Sequence, residues 1–206
     1  MPLICHCRDS SIHPHSLSLF SASWYNTEKR EKVPLLFHPT VFDNIKIAFE
    51  NQIYDYDNLD GILVVTDRSD MLNLALMSRE FSLAFKLTEG NNVTSEIILQ
   101  SSVKDLGDEI LETPGSDPGC TLLLRFYMEI DDVNVQCPAA EKILSTIWGP
   151  DFQPVQSLSF RYGQEGDTYN NCIELQFKRQ ITEEQMEDIP NLLKFLLQSA
   201  GELEEV

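Results

Sequence analysis

The sequence predicts an α+β fold with two layers, a mostly antiparallel sheet and helices packed on one of its faces. Residues 82–100 and 157–176 each have the pattern of a β-hairpin, because apolar residues alternate with polar ones on both sides of a polar loop. Other segments carry apolar residues at three- and four-residue spacing, which is typical of amphipathic helices. A hairpin with one apolar face needs a cover, and these helices can supply it.

The two hairpin segments also share a sequence pattern. The first strand of each reads SLAFK at residues 82–86 and SLSFR at residues 157–161. The returning strands read EIILQ at residues 96–100 and CIELQ at residues 172–176. If the pattern reflects a repeat, four pairs of apolar residues should be equivalent core positions: Leu83 with Leu158, Phe85 with Phe160, Ile97 with Ile173, and Leu99 with Leu175.

This repeat predicts an internal duplication, with a helix–hairpin–helix unit in each half of one α+β domain at residues 33–206. The halves are residues 33–112 and 120–200, joined by a Pro/Gly linker at residues 113–119. Residues 1–32 are rich in Ser and His and lack sustained periodicity, so we expect a poorly ordered N-terminal extension there.

In the first half, a helix is expected to follow Pro39, because apolar residues recur on one face at Val41, Phe42, Ile45, Phe49 and Ile53. Residues 61–66 predict a strand and residues 67–70 a turn. Residues 71–77 fit either a strand or a helix, since leucines alternate but Leu, Ala and Met also favour helices.

A five-residue loop in the first hairpin would place Leu83 opposite Ile97 and Phe81 opposite Leu99, with all four on one side of the sheet. Ser102 is expected to cap a short helix that carries Val103, Leu106 and Ile110.

The second half predicts a strand at residues 120–130 and a helix that begins at Pro138. After the second hairpin, Thr182 and Gln185 form a capping-box pattern for the last helix. Pro190 should mark a kink or a new start in that helix.

The charge of the chain limits its partners. The formal net charge is −18 for 206 residues, with a pI near 4.4, so the protein should repel nucleic acid and anionic membrane surfaces. The five cysteines are scattered and odd in number, which favours a reducing compartment. No apolar run approaches the length of a membrane span, and we therefore expect a cytoplasmic protein.

The N-terminal tract contains the residues that best match a metal site. Thiolate and imidazole are ligands that zinc and copper prefer, although the spacing fits no familiar zinc module. The candidate ligands are Cys5, His6, Cys7, His13 and His15.

Catalytic chemistry has little support in the sequence. Cys137 precedes Pro138 at an expected helix start, where the helix dipole could lower a thiol pKa, but no histidine follows His38 to act as its base. The sequence contains no phosphate-binding loop, dinucleotide fingerprint or nucleophile elbow, and it predicts no cofactor.

Outward positions of the two hairpins recur in type and are the candidate ligand-binding residues. They are Lys86, Arg161, Gln100 and Gln176, and the two basic residues could receive an anionic peptide or carboxylate. An exposed sheet face also needs polar residues for solubility, which explains the same pattern without a ligand.

We therefore expect a non-enzymatic protein-interaction domain, of an adaptor or chaperone-like kind, that binds itself or a basic partner through an open sheet face or edge. A domain that binds a small ligand or a metal is the alternative, and an enzyme comes third.

Overall fold

The α+β prediction is confirmed by the computed structural model, which describes residues 40–150, 152–163 and 168–206. Within those residues there are four α-helices and six strands. The helices are α1 (Val41–Asp55), α2 (Val103–Ile110), α3 (Val133–Trp148) and α4 (Ile189–Leu203). The strands are β1 (Leu63–Asn73), β2 (Ser78–Leu87), β3 (Thr94–Ser101), β4 (Thr121–Ile130), β5 (Val155–Ser159) and β6 (Tyr169–Gln176).

The strands form one antiparallel sheet in the order β1-β2-β3-β4-β6-β5. A one-turn π-helix (Tyr56–Asp60) links α1 to β1, and a 3₁₀-helix (Glu183–Asp188) precedes α4. None of the helices among the described residues has the length and apolarity needed to cross a membrane.

One side of the sheet forms the hydrophobic core with the helices. Alternate residues on β2, β3, β4 and β6 point to this side, as expected from the two-residue period of a strand. They are buried in a single cluster with the apolar stripes of α1, α3 and α4. The strand residues of that cluster include Phe81, Leu83, Phe85, Ile97, Leu99, Leu122, Leu124, Phe126, Ile173 and Leu175.

Several local predictions are confirmed. The register of the first hairpin pairs Leu83 with Ile97 and Phe81 with Leu99. The helix expected after Pro39 is α1, whose N-cap Thr40 forms a capping box, and Ser102 caps α2 in the same way.

The predicted turn at residues 67–70 is wrong, because β1 continues through it to Asn73. Arg68 and Asp70 point toward the helix side, where α1 supplies charges of opposite sign. Nε of Arg68 lies 2.6 Å from Glu50, and Nζ of Lys46 lies 2.8 Å from Asp70. Charged residues that look like a turn in the sequence are therefore paired strand residues in the structure.

The predicted start of α3 at Pro138 is also wrong. The helix begins at Val133, and the side chain of Asp132 caps it by accepting hydrogen bonds from the backbone N–H groups of Asn134 and Val135. Pro138 lies inside the helix, where it removes one backbone donor.

At the other end of the chain, Thr182 and Gln185 form the predicted capping box, but they open the 3₁₀-helix. Pro190 occupies the first turn of α4 and marks a new start for that helix.

The structure does not show the internal duplication. The first hairpin occupies the middle of the sheet, whereas β5 of the second hairpin is an edge strand. Leu83 pairs with Ile97, but Leu158 pairs with Asn171, so the registers differ.

The expected core positions at Leu158 and Phe160 are also wrong. Leu158 is 40% exposed and Phe160 is 68% exposed, whereas Leu83 and Phe85 are buried. Edge strand β5 has only five residues and ends before Phe160, and neither residue belongs to the core cluster that the described helices and central strands form.

The loop between β2 and β3 is held from the far end of the chain. The carboxylate of Glu204, just after α4, accepts hydrogen bonds from the backbone N–H groups of Asn92 and Val93 at 3.1 and 2.9 Å. A side chain on Gly90 would collide with this carboxylate, so glycine is needed for the close approach.

The unequal burial of the two hairpins predicts unequal mutational costs. Leu83→Ala should lower the free energy of unfolding by about 2–5 kcal/mol, because it opens a cavity in the core. Leu158→Ala should cost less than about 1 kcal/mol, as is usual for an exposed position. Urea unfolding followed by circular dichroism measures both, and similar losses for the two variants would support core burial of both hairpins.

Candidate functional site

The sheet face opposite the helices is the first candidate surface, because no helix among the described residues covers it. Polar side chains on neighbouring strands form hydrogen bonds and an ion pair with each other there. The partners are Gln100 with Glu80 at 2.7 Å, Tyr127 with Glu96 at 2.7 Å, and Arg125 with Glu174 at 2.8 Å. Much of the hydrogen-bonding capacity of this face is therefore used within the sheet.

Two aliphatic residues lie beneath these polar pairs. Ile98 and Leu123 are directly opposite each other on β3 and β4 and are only 3% and 7% exposed. They belong to the open face and stand outside the helix-side core cluster. The adjacent positions on this face carry the long side chains of Glu96 and Arg125, and stems of such residues commonly cover apolar surface.

The pairing also shifts two pKa values on this face. Burial and the hydrogen bond to the Glu96 carboxylate raise the pKa of Tyr127 to about 12. Burial opposes the charge on Arg125, but hydrogen bonds with Glu174 and Tyr127 raise its pKa overall. The polar side chains named above on the open face therefore bind one another, and their charged groups are fixed by these contacts.

The four predicted ligand residues do not converge. Lys86 lies at one end of β2 and donates to the backbone carbonyl of Asn91 at 2.9 Å. Arg161 follows β5, and β2 and β5 are four strand spacings apart, about 19 Å.

Gln100 and Gln176 lie at the opposite end of the sheet from Lys86. Gln100 is bonded to Glu80, whereas Gln176 lines a cavity beyond the end of β6. Lys86 and Arg161 line two separate clefts that share Glu129 and Asn170, and the ligand-binding role of the four residues stays a prediction.

The metal prediction falls on Cys5, His6, Cys7, His13 and His15, which lie outside the described residues. Among the described residues, no group of three or more His, Cys, Asp and Glu side chains is arranged to hold a metal ion.

The described cysteines are not activated. Burial raises the pKa of Cys137 and of Cys172, and burial with the nearby carboxylates of Asp105 and Glu109 raises the pKa of Cys120 to about 12. The pKa shift at Cys137 is opposite to the one a nucleophile needs, and the residue lies within α3 rather than at its start.

The second candidate surface is the tip of the β1–β2 hairpin. Residues 71–78, which we call the uncharged arm, contain no charged residue in a chain with net charge −18. Five of their apolar side chains are between 45% and 75% exposed: Met71, Leu72, Leu74, Leu76 and Met77. Met71 and Leu72 point to opposite faces of the hairpin, so the arm is apolar on both sides.

The arm continues into a free sheet edge. Strand β1 pairs only with β2 among the described strands, so its outer side presents unpaired backbone groups. Near the start of the strand, the side chain of Asp57 accepts a hydrogen bond from the N–H of Val65 at 3.2 Å. The edge is thereby capped at Val65 and continues beyond it toward Asn73.

Comparison of the chain with protein-family models, with curated proteins and with solved structures finds no match.

The arm was missed by sequence reasoning because its exposure depends on where α1 begins. Asp70 and Arg79, on either side of the arm, pair with Lys46 and Asp43 in the first turns of α1, and the arm lies beyond them. Residues 71–77 carry alternating leucines that a buried strand would also carry. One signal was available: a run of eight uncharged residues that includes five leucines and methionines is unusual on the surface of so acidic a chain.

The Tyr127–Glu96 hydrogen bond predicts an abnormal tyrosine titration. The Tyr127 phenol should lose its proton near pH 12, about two units above an ordinary tyrosine, because burial and the Glu96 carboxylate disfavour the phenolate. Since the folded-state pKa is raised, the stabilisation is complete below pH 10 and is lost as the pH rises from 10 to 12.

Absorbance at 295 nm, compared between the wild-type protein and Tyr127→Phe, isolates this transition. Glu96→Gln should move the transition toward pH 10, because the carboxylate charge is removed. A wild-type transition already at pH 10 would contradict the pairing on the open face.

Proposed function

We propose that the protein is a protein-interaction domain that binds through the uncharged arm and the free edge of β1, and that a second copy of the chain binds there. The observation that supports this proposal most directly is the exposure of five large apolar side chains on one uncharged hairpin tip. Contiguous exposed apolar surface of this kind marks interaction sites on soluble domains.

The energetics favour contact at the arm over contact elsewhere. Burying a fully exposed leucine side chain contributes about 1.5–3 kcal/mol, so Leu74 and Leu76 with their partners could supply a substantial part of an association energy. Two molecules with net charge −18 repel each other at long range. The uncharged arm adds no local charge repulsion to that cost when it is buried in the contact.

The charges on β1 select one register for pairing with a second copy. An antiparallel pair of identical strands has a two-fold axis, and the residue at the axis faces its own copy. Centring on Asp67, Arg68 or Asp70 would oppose like charges. Centring on Ser69 instead places each Arg68 opposite the Asp70 of the other copy.

This register also avoids the capped part of the edge. Pairing centred on Ser69 places Asp67 opposite Met71, so it needs only the regular strand from Asp67 onward, beyond the β-bulge between Val65 and Asp67 and beyond Val65, where Asp57 occupies the edge. The two-fold axis is perpendicular to the sheet, so the helices of both copies lie on the same side. The result is a continuous sheet in which the arm of each copy lies against the strand of the other.

Charged substitutions on the arm should weaken self-association. We expect Leu74→Asp combined with Leu76→Asp to raise the dimer dissociation constant at least about tenfold, because apolar burial is lost and charge is added. Sedimentation equilibrium over a range of concentrations measures the constant.

The matched control is Val155→Asp combined with Leu158→Asp, which places the same two charges on the opposite edge strand, β5. It should leave the dissociation constant unchanged. A wild-type protein that stays monomeric at the highest soluble concentration would contradict the proposal, as would equal weakening by the control.

The register itself can be tested by cross-linking. In a background with Cys5 and Cys7 replaced by serine, Ser69→Cys should form a disulfide-linked dimer under mild oxidation, because residues at the two-fold axis have Cα atoms about 4.5–5.5 Å apart, a separation that a disulfide can span. Ser82→Cys, on the same face but on the interior strand β2, should remain monomeric on non-reducing gels. Equal cross-linking of both variants would contradict pairing through the β1 edge.

A further inference from the structure

A cavity beyond the carboxyl end of β6 has the features of a small-ligand site. Its volume is about 720 Å³, within the range of pockets that hold drug-sized molecules. The residues that line it and matter here are Phe152, Gln176, Phe177, Lys178, Arg179 and Gln185. A second cleft of about 590 Å³ adjoins it and shares Gln176, Phe177 and Lys178.

The apolar wall of this cavity is fixed by aromatic packing. The rings of Phe152 and Phe177 meet edge to face with centroids 5.0 Å apart. Trp148, on α3, packs against both rings at 5.9 and 5.7 Å. Aromatic pairs in these geometries are mutually stabilising, so the wall is formed before any ligand arrives.

The loop that carries the polar residues is also fixed. Cys120 and Ile181 exchange two backbone hydrogen bonds of 2.8 Å, which tie the end of the loop to the start of β4. A Cβ on Gly119 would lie 2.8 Å from the carbonyl oxygen of Ile181, so only glycine allows this close approach. The positions of Lys178 and Arg179 relative to the aromatic wall are therefore set by the backbone.

The charge at the cavity differs from that of the protein as a whole. Lys178 and Arg179 are adjacent, exposed and, among the described residues, not in an ion pair with any carboxylate. Asp117 is the one acidic residue among those that line the larger cavity. Two cations therefore face an apolar wall on a protein whose net charge is −18.

Glutamine amides add directional donors beside these cations. The Oε1 atom of Gln185 accepts hydrogen bonds from the N–H and hydroxyl groups of Thr182, which leaves its amide nitrogen to donate elsewhere. The side chain of Gln176 lies at the junction of the two clefts. Amide and guanidinium N–H groups together suit the oxygens of a carboxylate.

We propose that this cavity binds a small organic anion with an aromatic body and a carboxylate group. The aromatic body lies against Phe152 and Phe177, and the carboxylate accepts hydrogen bonds from Lys178, Arg179 and the glutamine amides. This site is separate from the β1 edge, since β6 and β1 are separated in the sheet by β4, β3 and β2.

The experiment uses 2-naphthoate as the probe, with 2-naphthamide as a neutral analogue of the same size. Isothermal titration calorimetry on the full chain should show binding of the naphthoate and at least tenfold weaker binding of the amide. In a Trp24→Phe background, fluorescence of Trp148 should also change on naphthoate binding, because its ring contacts Phe177.

Charge variants show whether the binding occurs at this cavity. Lys178→Gln combined with Arg179→Gln should weaken naphthoate binding at least tenfold. Lys142→Gln combined with Lys194→Gln removes the same charge from α3 and α4, outside the cavity, and should leave binding unchanged.

Three outcomes would overturn the proposal. They are equal binding of the amide and the naphthoate, equal weakening by the two double variants, and no binding of naphthoate at concentrations up to about 1 mM. Dimer formation is measured independently, so failure of the cavity proposal leaves the β1-edge proposal standing, and the reverse also holds.

Discussion

The contact between one face of the sheet and the helices α1, α3 and α4 is the constraint on which the other features depend. Strand β4 is central to it, because it pairs with both β3 and β6 and buries Leu122, Leu124 and Phe126 on the helix side. Once this face is used for the core, charged groups are left to the other face, the edges and the helix surfaces. The polar groups of the open face then pair with one another, while the apolar side chains of the uncharged arm are exposed.

Helix α2 shows how this arrangement can override local patterning. Its apolar residues Val103 and Ile110 are 54% and 68% exposed, whereas Asp105 is buried. Asp105 forms the capping box with Ser102 and accepts a hydrogen bond from Gln180, and Glu109 accepts one from the N–H of Val41. The acidic side of α2 thus holds the start of α1, and the apolar side faces outward.

Local features of the fold could be predicted from the sequence, and features set by distant contacts could not. The first hairpin's register and the capped starts of α1 and α2 follow from residues close together in the chain. The course of β1 through Arg68 and Asp70 depends on charges supplied by α1, which no local pattern reveals. The shared pattern of the two hairpins wrongly predicted a buried Leu158 for a similar reason. Its exposure depends on the position of β5 at the edge of the sheet, which the local sequence does not reveal.

The residues of the candidate sites could likewise be predicted from the sequence only in part. Gln176 was selected from the sequence and lines the cavity beyond β6. Lys178 and Arg179 carry no recognisable motif, and they line the same cavity as Phe152 in a loop whose end is tied to the start of β4 by the Cys120–Ile181 bridge. The exposure of the arm likewise depends on where α1 begins, which no local pattern reveals.

The hydrogen bonds from the β2–β3 loop to the Glu204 carboxylate join two parts of the chain that are synthesised at different times. Val93 and Glu204 are 111 residues apart, and at ribosomal speeds the second follows the first by roughly 6–20 s. Strands β2 and β3 are close in sequence and can pair early, because short loops close at low entropic cost. The amides of Asn92 and Val93 stay bonded to water until Glu204 has been synthesised, so this loop reaches its final conformation only after that.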